Sequence, residues 1–247
     1  MPVDLDDVRP PRQGDPVTWV PASRQPLLEQ YESELREWTR RVNLISKPSE
    51  SDIRNRHVGH SLCLAARPFP VGATVVDWGT GGGLPAVPLA IAFPKVAFVA
   101  VESIAKKTAA LRMMVRSLGL DNLEVWLGRA EDFDQTASHF VSRATAPLRD
   151  LWKWSRRAAV GWGGPGPAWS PGSDVGILAA AEGPANPAPW EPGLVCLKGG
   201  DLGKEIRQAR PTRRVSRYSL QEMTGMPWSE DKYILHLLPP GAVPGPH

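Results

Sequence analysis

The sequence has few cysteines, no long apolar run and little net charge, and each shortage excludes a class of protein. Two cysteines, Cys63 and Cys196, are too few for a disulfide framework or a cysteine-rich zinc site, and we expect no metal. No run approaches the roughly 18 apolar residues that a membrane-spanning helix needs, and the N-terminus lacks the pattern of a secretion signal. A net charge of +3 permits an anionic partner without requiring one. We expect a cytoplasmic monomer that does not bind membranes.

Proline and glycine are distributed unevenly and mark the least regular parts of the chain. Residues 1–26 hold six prolines and few periodic apolar residues, so we expect a flexible tail. Residues 161–193 hold fifteen glycines or prolines among thirty-three residues, which indicates a long surface excursion. The sequence therefore divides into the tail, a helical region over 27–70 and a main domain over 71–247 that contains the excursion.

Two helices are predicted ahead of the main domain. Apolar residues from Leu28 to Ile45 recur every three or four positions, which predicts a helix over 26–46. A second helix is expected over 51–66, ending before Pro68. Together they form a short helical region before the first strand.

From residue 73 onward, predicted strands and helices alternate. This alternation is typical of a mostly parallel, doubly wound α/β sheet of the Rossmann-like kind. The predicted strands are 73–77, 96–102, 123–127, 140–143 and 194–197, followed by a closing pair at 215–220 and 233–238. The predicted helices are 85–92, 105–118, 147–160 and 202–209.

A glycine-dense turn follows the first of these strands. Residues 77–85 read DWGTGGGLP, which places closely approaching backbone at the carboxyl end of a strand, where such sheets bind ligands. Leu84 occupies the third glycine position of the dinucleotide-binding pattern, which weakens the case for a nicotinamide enzyme. No Lys-Ser or Lys-Thr pair follows the glycines, which excludes a phosphate-binding P-loop.

An acid lies twenty-five residues after Asp77, at the end of the second strand of the main domain. Glu102 is placed where a carboxylate can accept hydrogen bonds from both hydroxyls of a ribose. After the next strand, the turn Arg129-Ala130-Glu131-Asp132-Phe133 is placed to cover an adenine. The glycine turn and Glu102 together predict a nucleoside site.

Several motifs, in order along the chain, resemble the RsmG or GidB family. Members of this family methylate N7 of a guanine in small-subunit ribosomal RNA and use S-adenosylmethionine as the methyl donor. The resemblance rests on residues 42–45 (VNLI), Arg56-His57 with Ser61-Leu62, 77–89, Glu102-Ser103 with Lys106-Lys107, 129–133, 142–146 (SRATA) and 197–199 (LKG). The chain departs from the family pattern at Trp78, Ala86 and His60.

The resemblance implies a class I S-adenosylmethionine-dependent methyltransferase fold and a set of site residues. Its partner would be 16S ribosomal RNA or a precursor of the small ribosomal subunit. The implied cofactor contacts are Gly79, Gly81, Leu84, Ala130, Glu131 and Arg143, with Glu102 on the ribose.

The implied chemistry needs no catalytic base. Guanine N7 carries an unprotonated lone pair, so catalysis can rest on positioning and electrostatics. Arg143 and Lys198 are candidates for positioning, and no residue is predicted to be a catalytic acid or base. Cys63 and Cys196 follow ordinary apolar residues, which favours core packing over a thiolate nucleophile.

A basic segment near the C-terminus is the predicted electrostatic contact for RNA phosphates. Within residues 204–217, six basic residues are opposed only by Glu205. Together with two lysines at the start of a predicted helix, the candidate RNA-binding residues are Lys106, Lys107, Lys204, Arg207, Arg210, Arg213, Arg214 and Arg217.

Two other functions remain open from the sequence. One is a small-molecule methyltransferase that shares the cofactor site. The other is a non-catalytic RNA-binding or ribosome-assembly protein with a vestigial pocket. Intact Gly79, Gly81, Glu102 and Arg143 argue against a decayed pocket, and the basic segment favours RNA over a small molecule.

Overall fold

The computed structural model describes residues 5–45, 52–143, 146–160, 162, 187–211 and 215–239. Within these ranges, no helix has both the length and the apolar character needed to cross a membrane.

A single mixed sheet of eight strands organises the described part of the chain. Its spatial order is β1-β7-β8-β6-β5-β2-β3-β4. Strand β8 is antiparallel to both of its neighbours, and the other neighbouring pairs are parallel. The strands are β1 (Leu5–Asp7), β2 (Thr74–Trp78), β3 (Ala97–Glu102), β4 (Leu123–Leu127), β5 (His139–Arg143), β6 (Gly193–Gly199), β7 (Val215–Ser219) and β8 (Lys232–Leu237).

The helices connect these strands and cover both faces of the sheet. They are α1 (Gln25–Val42), α2 (His60–Leu62), α3 (Ala86–Ala92), α4 (Ala105–Ser117), α5 (Leu148–Ala158), α6 (Gly203–Ala209) and α7 (Leu220–Thr224). A π-helical stretch, Arg54–Gly59, leads into α2, and a 3₁₀ turn, Cys63–Ala66, follows it.

The strand order fixes where a ligand can bind. The chain builds β2, β3 and β4 in one direction and then returns to place β5 on the other side of β2. This reversal opens a crevice at the carboxyl ends of β2 and β5, which is where open α/β sheets bind ligands.

Two apolar clusters pack on the two faces of the sheet. Successive strand residues point to opposite faces, so Val75 belongs to the cluster that includes α1, α3 and α4, while Val76 belongs to the one with α5 and α6. The first cluster joins buried residues of the N-terminal helical region, such as Leu28 and Leu62, to the sheet. The N-terminal helices therefore share one core with the strands.

The fold class predicted from the alternation is confirmed, and so is the closing strand pair, β7 with β8. The predicted flexible tail is wrong for the part that the structure describes. Strand β1 pairs in parallel with β7, and Val17 and Val20 are buried in the apolar cluster that also includes α1. The sequence pattern does not predict this ordered structure, because the six prolines interrupt the apolar periodicity.

The glycine- and proline-rich excursion lies mostly outside the described residues. Its described parts are anchored in the core. The Trp190 ring is buried, and its Nε1 donates to the Leu64 carbonyl at 2.8 Å. Trp162 Nε1 donates to the Ser138 carbonyl at 3.0 Å.

Candidate functional site

The turn between β2 and α3 is shaped by its glycines. Gly81 and Gly83 have φ of 58° and 96°, in the left-handed region that side chains with a Cβ rarely adopt. At Gly83 a Cβ would also lie 2.5 Å from Cγ2 of Val87. The glycines thus let the turn fold tightly against α3 while its backbone faces the crevice.

Glu102 ties this turn to the next one. Its carboxylate accepts hydrogen bonds from the Gly81 backbone N–H at 3.1 Å and from the Ile104 backbone N–H at 2.8 Å. The residue is only 6% exposed. Glu102 therefore fixes the relative positions of the turns that follow β2 and β3.

These turns border a pocket of about 640 Å³ at the carboxyl ends of the strands. The pocket wall includes all seven residues predicted to contact the cofactor: Gly79, Gly81, Leu84, Glu102, Ala130, Glu131 and Arg143. Its volume falls within the range of sites that enclose a small molecule. Residues from three successive turns thus meet in one concave site.

A second carboxyl group lies below the pocket floor. Asp77 is fully buried, and its Oδ2 accepts a hydrogen bond from the Ala86 backbone N–H at 3.1 Å. Burial raises the pKa of Asp77 to about 7, against the opposing effect of the nearby Thr80 hydroxyl. Asp77 anchors the start of α3 and does not line the pocket.

Arg143 and His57 join β5 to the N-terminal helical region. Arg143 Nη2 donates to His57 Nδ1 at 2.9 Å, and Nη1 donates to the Arg56 carbonyl at 3.2 Å. Because Nδ1 accepts, this hydrogen bond assigns the ring proton to Nε2. Burial first, and the Arg143 charge second, lower the pKa of His57 to about 4, so the ring is neutral at pH 7. His57 Nε2 has no hydrogen-bond partner in the described ranges.

Among the wall residues that were not predicted, four lie outside the ends of β2, β3 and β4 and the turns that follow them: Leu44, Ile45, His57 and Trp154. The first three belong to motifs that supported the family resemblance, and those motifs were the available signal. Trp154 gave no such signal, because its place on a predicted helix indicated packing only. The N-terminal region therefore closes one side of the pocket.

The three departures from the family pattern lie away from the pocket wall. Trp78 points into the core beneath α5, where its Nε1 donates to Ser155 Oγ at 3.0 Å and its ring stacks on Phe140. Ala86 is buried at the start of α3. The His60 ring packs on Trp228, with ring centroids 5.6 Å apart.

The cysteines take no part in the pocket. Cys63 and Cys196 are fully buried, and burial raises the pKa of both thiols, that of Cys196 to about 12. Core packing, as predicted, describes both. In the residues that can be described, no cluster of three or more His, Cys, Asp or Glu side chains is arranged to hold a metal ion.

Lys198, a predicted positioning candidate, also lies outside the pocket wall. Its Nζ donates to the Ala146 carbonyl at 2.6 Å and to Glu205 Oε1 at 2.7 Å. The same Glu205 oxygen accepts from the Leu148 backbone N–H at 2.7 Å, at the first turn of α5. Lys198 and Glu205 therefore fix the start of α5, which begins five residues after Arg143.

The candidate RNA-binding residues separate into groups. Lys107 lines the pocket, and Lys106 is exposed beside it on the first turn of α4. Lys204, Arg207 and Arg210 line a second cavity, between α5 and α6. Helix α6 ends at Ala209 and Arg210 caps it with a φ of 45°, so Arg210 does not continue the helix that carries Lys204 and Arg207.

Arg217 forms an ion pair that the sequence analysis did not predict. Its Nε and Nη2 donate to the two carboxylate oxygens of Asp7, at 2.5 and 2.8 Å, and the guanidinium lies over the Tyr233 ring. Its charge is thus paired, and the ion pair joins β1 to β7. Arg213 and Arg214 lie outside the described residues.

Comparison with known proteins gives consistent matches. The family model GidB, described as rRNA small subunit methyltransferase G, matches residues 24–163. The chain is 44% identical over 217 residues to ribosomal RNA small subunit methyltransferase G of Salinibacter ruber, covering 85% of this chain and 92% of that protein. It is 36% identical over 200 residues to the protein of the same name from Chlorobaculum tepidum, covering 80% and 77% of the two chains.

Among solved structures, the chain resembles a SAM dependent methyltransferase from Aquifex aeolicus. The identity is 14% and the TM-score 0.49, over 76% of this chain and 94% of that one.

Proposed function

The chain belongs to the GidB family of rRNA small subunit methyltransferases, and we propose that it transfers a methyl group from S-adenosylmethionine to N7 of a guanine in 16S ribosomal RNA. The family predicted from the sequence motifs is thereby confirmed. The observation that supports the proposed reaction is a single pocket whose wall contains all seven predicted cofactor residues.

The pocket residues fit S-adenosylmethionine, which supplies an electrophilic methyl group on a positively charged sulfur when bound. Each carboxylate oxygen of Glu102 already accepts one backbone N–H and keeps a lone pair that can accept from a ribose hydroxyl. Ala130 and Glu131 border the side of the pocket expected to hold the adenine. The guanidinium of Arg143 is suited to the carboxylate of the methionine portion.

The protein need only position the guanine. N7 attacks through a lone pair that carries no proton, so no base is needed before the attack. His57 supports this assignment because it is neutral and its Nδ1 is occupied by Arg143. Its Nε2 carries the ring proton, so the ring has no free lone pair with which to act as a base.

A thiolate mechanism has no support in this pocket. Both thiols are fully buried and stay protonated at pH 7, because burial raises their pKa values. We infer that the partner is ribosomal RNA or a small-subunit precursor, and that the enzyme acts in the cytoplasm as a monomer.

The proposal is tested by incubating the protein with labelled S-adenosylmethionine and 16S ribosomal RNA, offered both as naked RNA and as small subunits. The RNA is then digested and its nucleosides are separated. The expected result is label in 7-methylguanosine from at least one of the substrates. Label in a different nucleoside, or no label in either RNA while the protein binds S-adenosylmethionine, would contradict the proposed reaction.

A further inference from the structure

The second cavity lies between the outward faces of α5 and α6 and has a volume of about 840 Å³. We call it the α5–α6 groove. Seven basic residues and no acidic residue line it among the residues that the structure describes. The residues that line it are Arg149, Trp152, Lys153, Arg156, Arg157, Lys204, Arg207, Gln208, Ala209 and Arg210.

The basic residues on α5 share one exposed face of the helix. Arg149, Lys153 and Arg156 are spaced by four and then three residues, which aligns them along the helix. At 1.5 Å per residue they span about 10 Å. Leu148, Leu151 and Ser155 point the other way, into the core. The helix thus presents a row of cations outward.

Most of these cations are uncompensated. The exceptions are Arg149, whose Nε lies 3.1 Å from Asp150 Oδ1, and Arg157, which donates to two backbone carbonyls. Within the described ranges, no ion pair or side-chain hydrogen bond is formed by Lys153, Arg156, Lys204, Arg207 or Arg210. Their mutual repulsion would be relieved by an anion bound in the groove.

A buried donor on the wall of the groove also lacks an acceptor. Trp152 is 2% exposed, and its indole Nε1 makes no hydrogen bond with any described residue. An unsatisfied buried donor costs free energy, and an indole nitrogen can only donate. The indole nitrogen itself is buried, so the cations rather than this donor are the groups that the groove presents to a ligand.

Helix α5 joins the groove to the cofactor pocket. Trp154, on the same helix, lines the pocket. Arg157, which lines the groove, donates through Nη2 to the carbonyl of the pocket residue Ala130 at 3.2 Å. A chain of phosphates bound along α5 would therefore lie next to the methyl-transfer site.

We propose that the α5–α6 groove binds the phosphate backbone of the RNA substrate, next to the pocket and independently of base sequence. This inference rests on the proposed function, which supplies an RNA as the partner. The groove offers a row of cations, which suits phosphate contacts rather than readout of base edges. Of the RNA-binding residues predicted from the sequence, the groove contains Lys204, Arg207 and Arg210 but not Arg217. It also contains Lys153 and Arg156 of α5, which were not predicted.

The test measures binding of 16S ribosomal RNA and of poly(U) over a series of salt concentrations. Two variants remove charge from opposite walls: Lys153→Ala with Arg156→Ala, and Lys204→Ala with Arg207→Ala. A matched control, Lys95→Ala with Arg116→Ala, removes the same charge from exposed positions before β3 and on α4, away from α5 and α6. Calorimetry with S-adenosylmethionine verifies that each variant is folded.

Each groove variant should bind both RNAs about tenfold more weakly than the control variant does. Loss of two phosphate contacts should reduce the steepness of the plot of log K against log salt by roughly 1.4 for single-stranded RNA. Affinity for S-adenosylmethionine should stay at the wild-type value.

Groove variants that match the control in affinity and salt dependence would overturn the groove proposal, even if the wild type makes 7-methylguanosine. Conversely, a wild type that makes no 7-methylguanosine would overturn the proposed function, while weaker RNA binding by the groove variants would still support the groove. A variant that loses affinity for the 16S RNA but not for poly(U) would contradict the phosphate assignment.

Discussion

Glu102 and Asp77 are carboxyl groups at the ends of neighbouring strands, and their different surroundings give them different roles. Glu102 lines the pocket and accepts backbone N–H groups from two turns. Asp77 lies beneath those turns, fully buried, with its pKa raised to about 7. The acid at the pocket wall is available to a ligand, and the buried acid holds the start of α3.

Replacing Glu102 by alanine should weaken S-adenosylmethionine binding by about tenfold to a hundredfold, because a charge-assisted hydrogen bond contributes roughly 1.5 to 3 kcal/mol. Glu102→Gln keeps one acceptor for the Ile104 N–H and should lose less. Calorimetry measures both, with Asp132→Ala, an exposed acid on the neighbouring turn, as the control. Wild-type affinity in Glu102→Ala would remove this residue from the ribose site.

At this scale, the sequence predicted the residues that follow strand ends and missed those supplied by distant elements. Gly81, Glu102 and Ala130 follow parallel strands, so the sheet alone brings them together. His57 enters the pocket only through packing of the N-terminal region, and Arg217 is taken out of the basic surface by an acid 210 residues away. Neither the position of His57 nor the pairing of Arg217 can be predicted from the spacing of residues along the chain.

At the scale of elements, helix α1 connects the N-terminal region to the glycine turn. The Tyr31 hydroxyl donates to the Gly82 carbonyl at 3.0 Å in a buried contact. A Cβ at Gly82 would lie 2.7 Å from Cδ1 of Leu35, so the helix and the turn are in close contact. Helix α1 thus supports the pocket from behind.

Removing the Tyr31 hydroxyl should loosen this support. Tyr31→Phe leaves the buried Gly82 carbonyl without its donor and should lower the free energy of unfolding by about 1 kcal/mol. It should also weaken S-adenosylmethionine binding several-fold, since the turn borders the pocket. Urea unfolding and calorimetry measure the two effects. The control is Tyr233→Phe, whose hydroxyl makes no hydrogen bond in the described chain; equal effects in both variants would contradict the role of α1.

At the level of elements, apolar periodicity predicted the central strands and helices, because the buried residues of each recur at regular spacing along a short stretch of sequence. Strand β1 has three residues, two of them acidic, and it exists only through pairing with β7. The helix expected over 51–66 is helical across its described residues, but it takes π and 3₁₀ turns around α2. Such deviations arise from tertiary packing, which local propensity does not encode.

In the molecule as a whole, the described histidines are held neutral by burial. Burial lowers the pKa of His57 and of His139 to about 4, that of His236 to about 3, and that of His60 well below its ordinary value. A base with a depressed pKa in the folded state stabilises the fold above its ordinary pKa of about 6.5. That stabilisation is lost as the pH falls toward the folded value.

The free energy of unfolding should therefore decrease as the pH is lowered from about 7 to about 4. In this range the histidines of the unfolded chain bind protons, and the buried histidines of the folded chain do not. Asp77 and Glu32, whose pKa values are raised by burial, act in the opposite direction but are two groups against four histidines. Urea unfolding across this range measures the dependence, and His139→Gln should make it shallower. A stability that is constant or rises on acidification would contradict this account.

The central claim, methyl transfer to guanine N7, is tested most directly by changing the acceptor atom. RNA made with 7-deazaguanosine has a carbon in place of N7 and offers no lone pair there. With labelled S-adenosylmethionine, ordinary 16S ribosomal RNA should gain label, and the 7-deaza RNA should bind with similar affinity but gain none. Equal labelling of the two RNAs would contradict N7 as the acceptor.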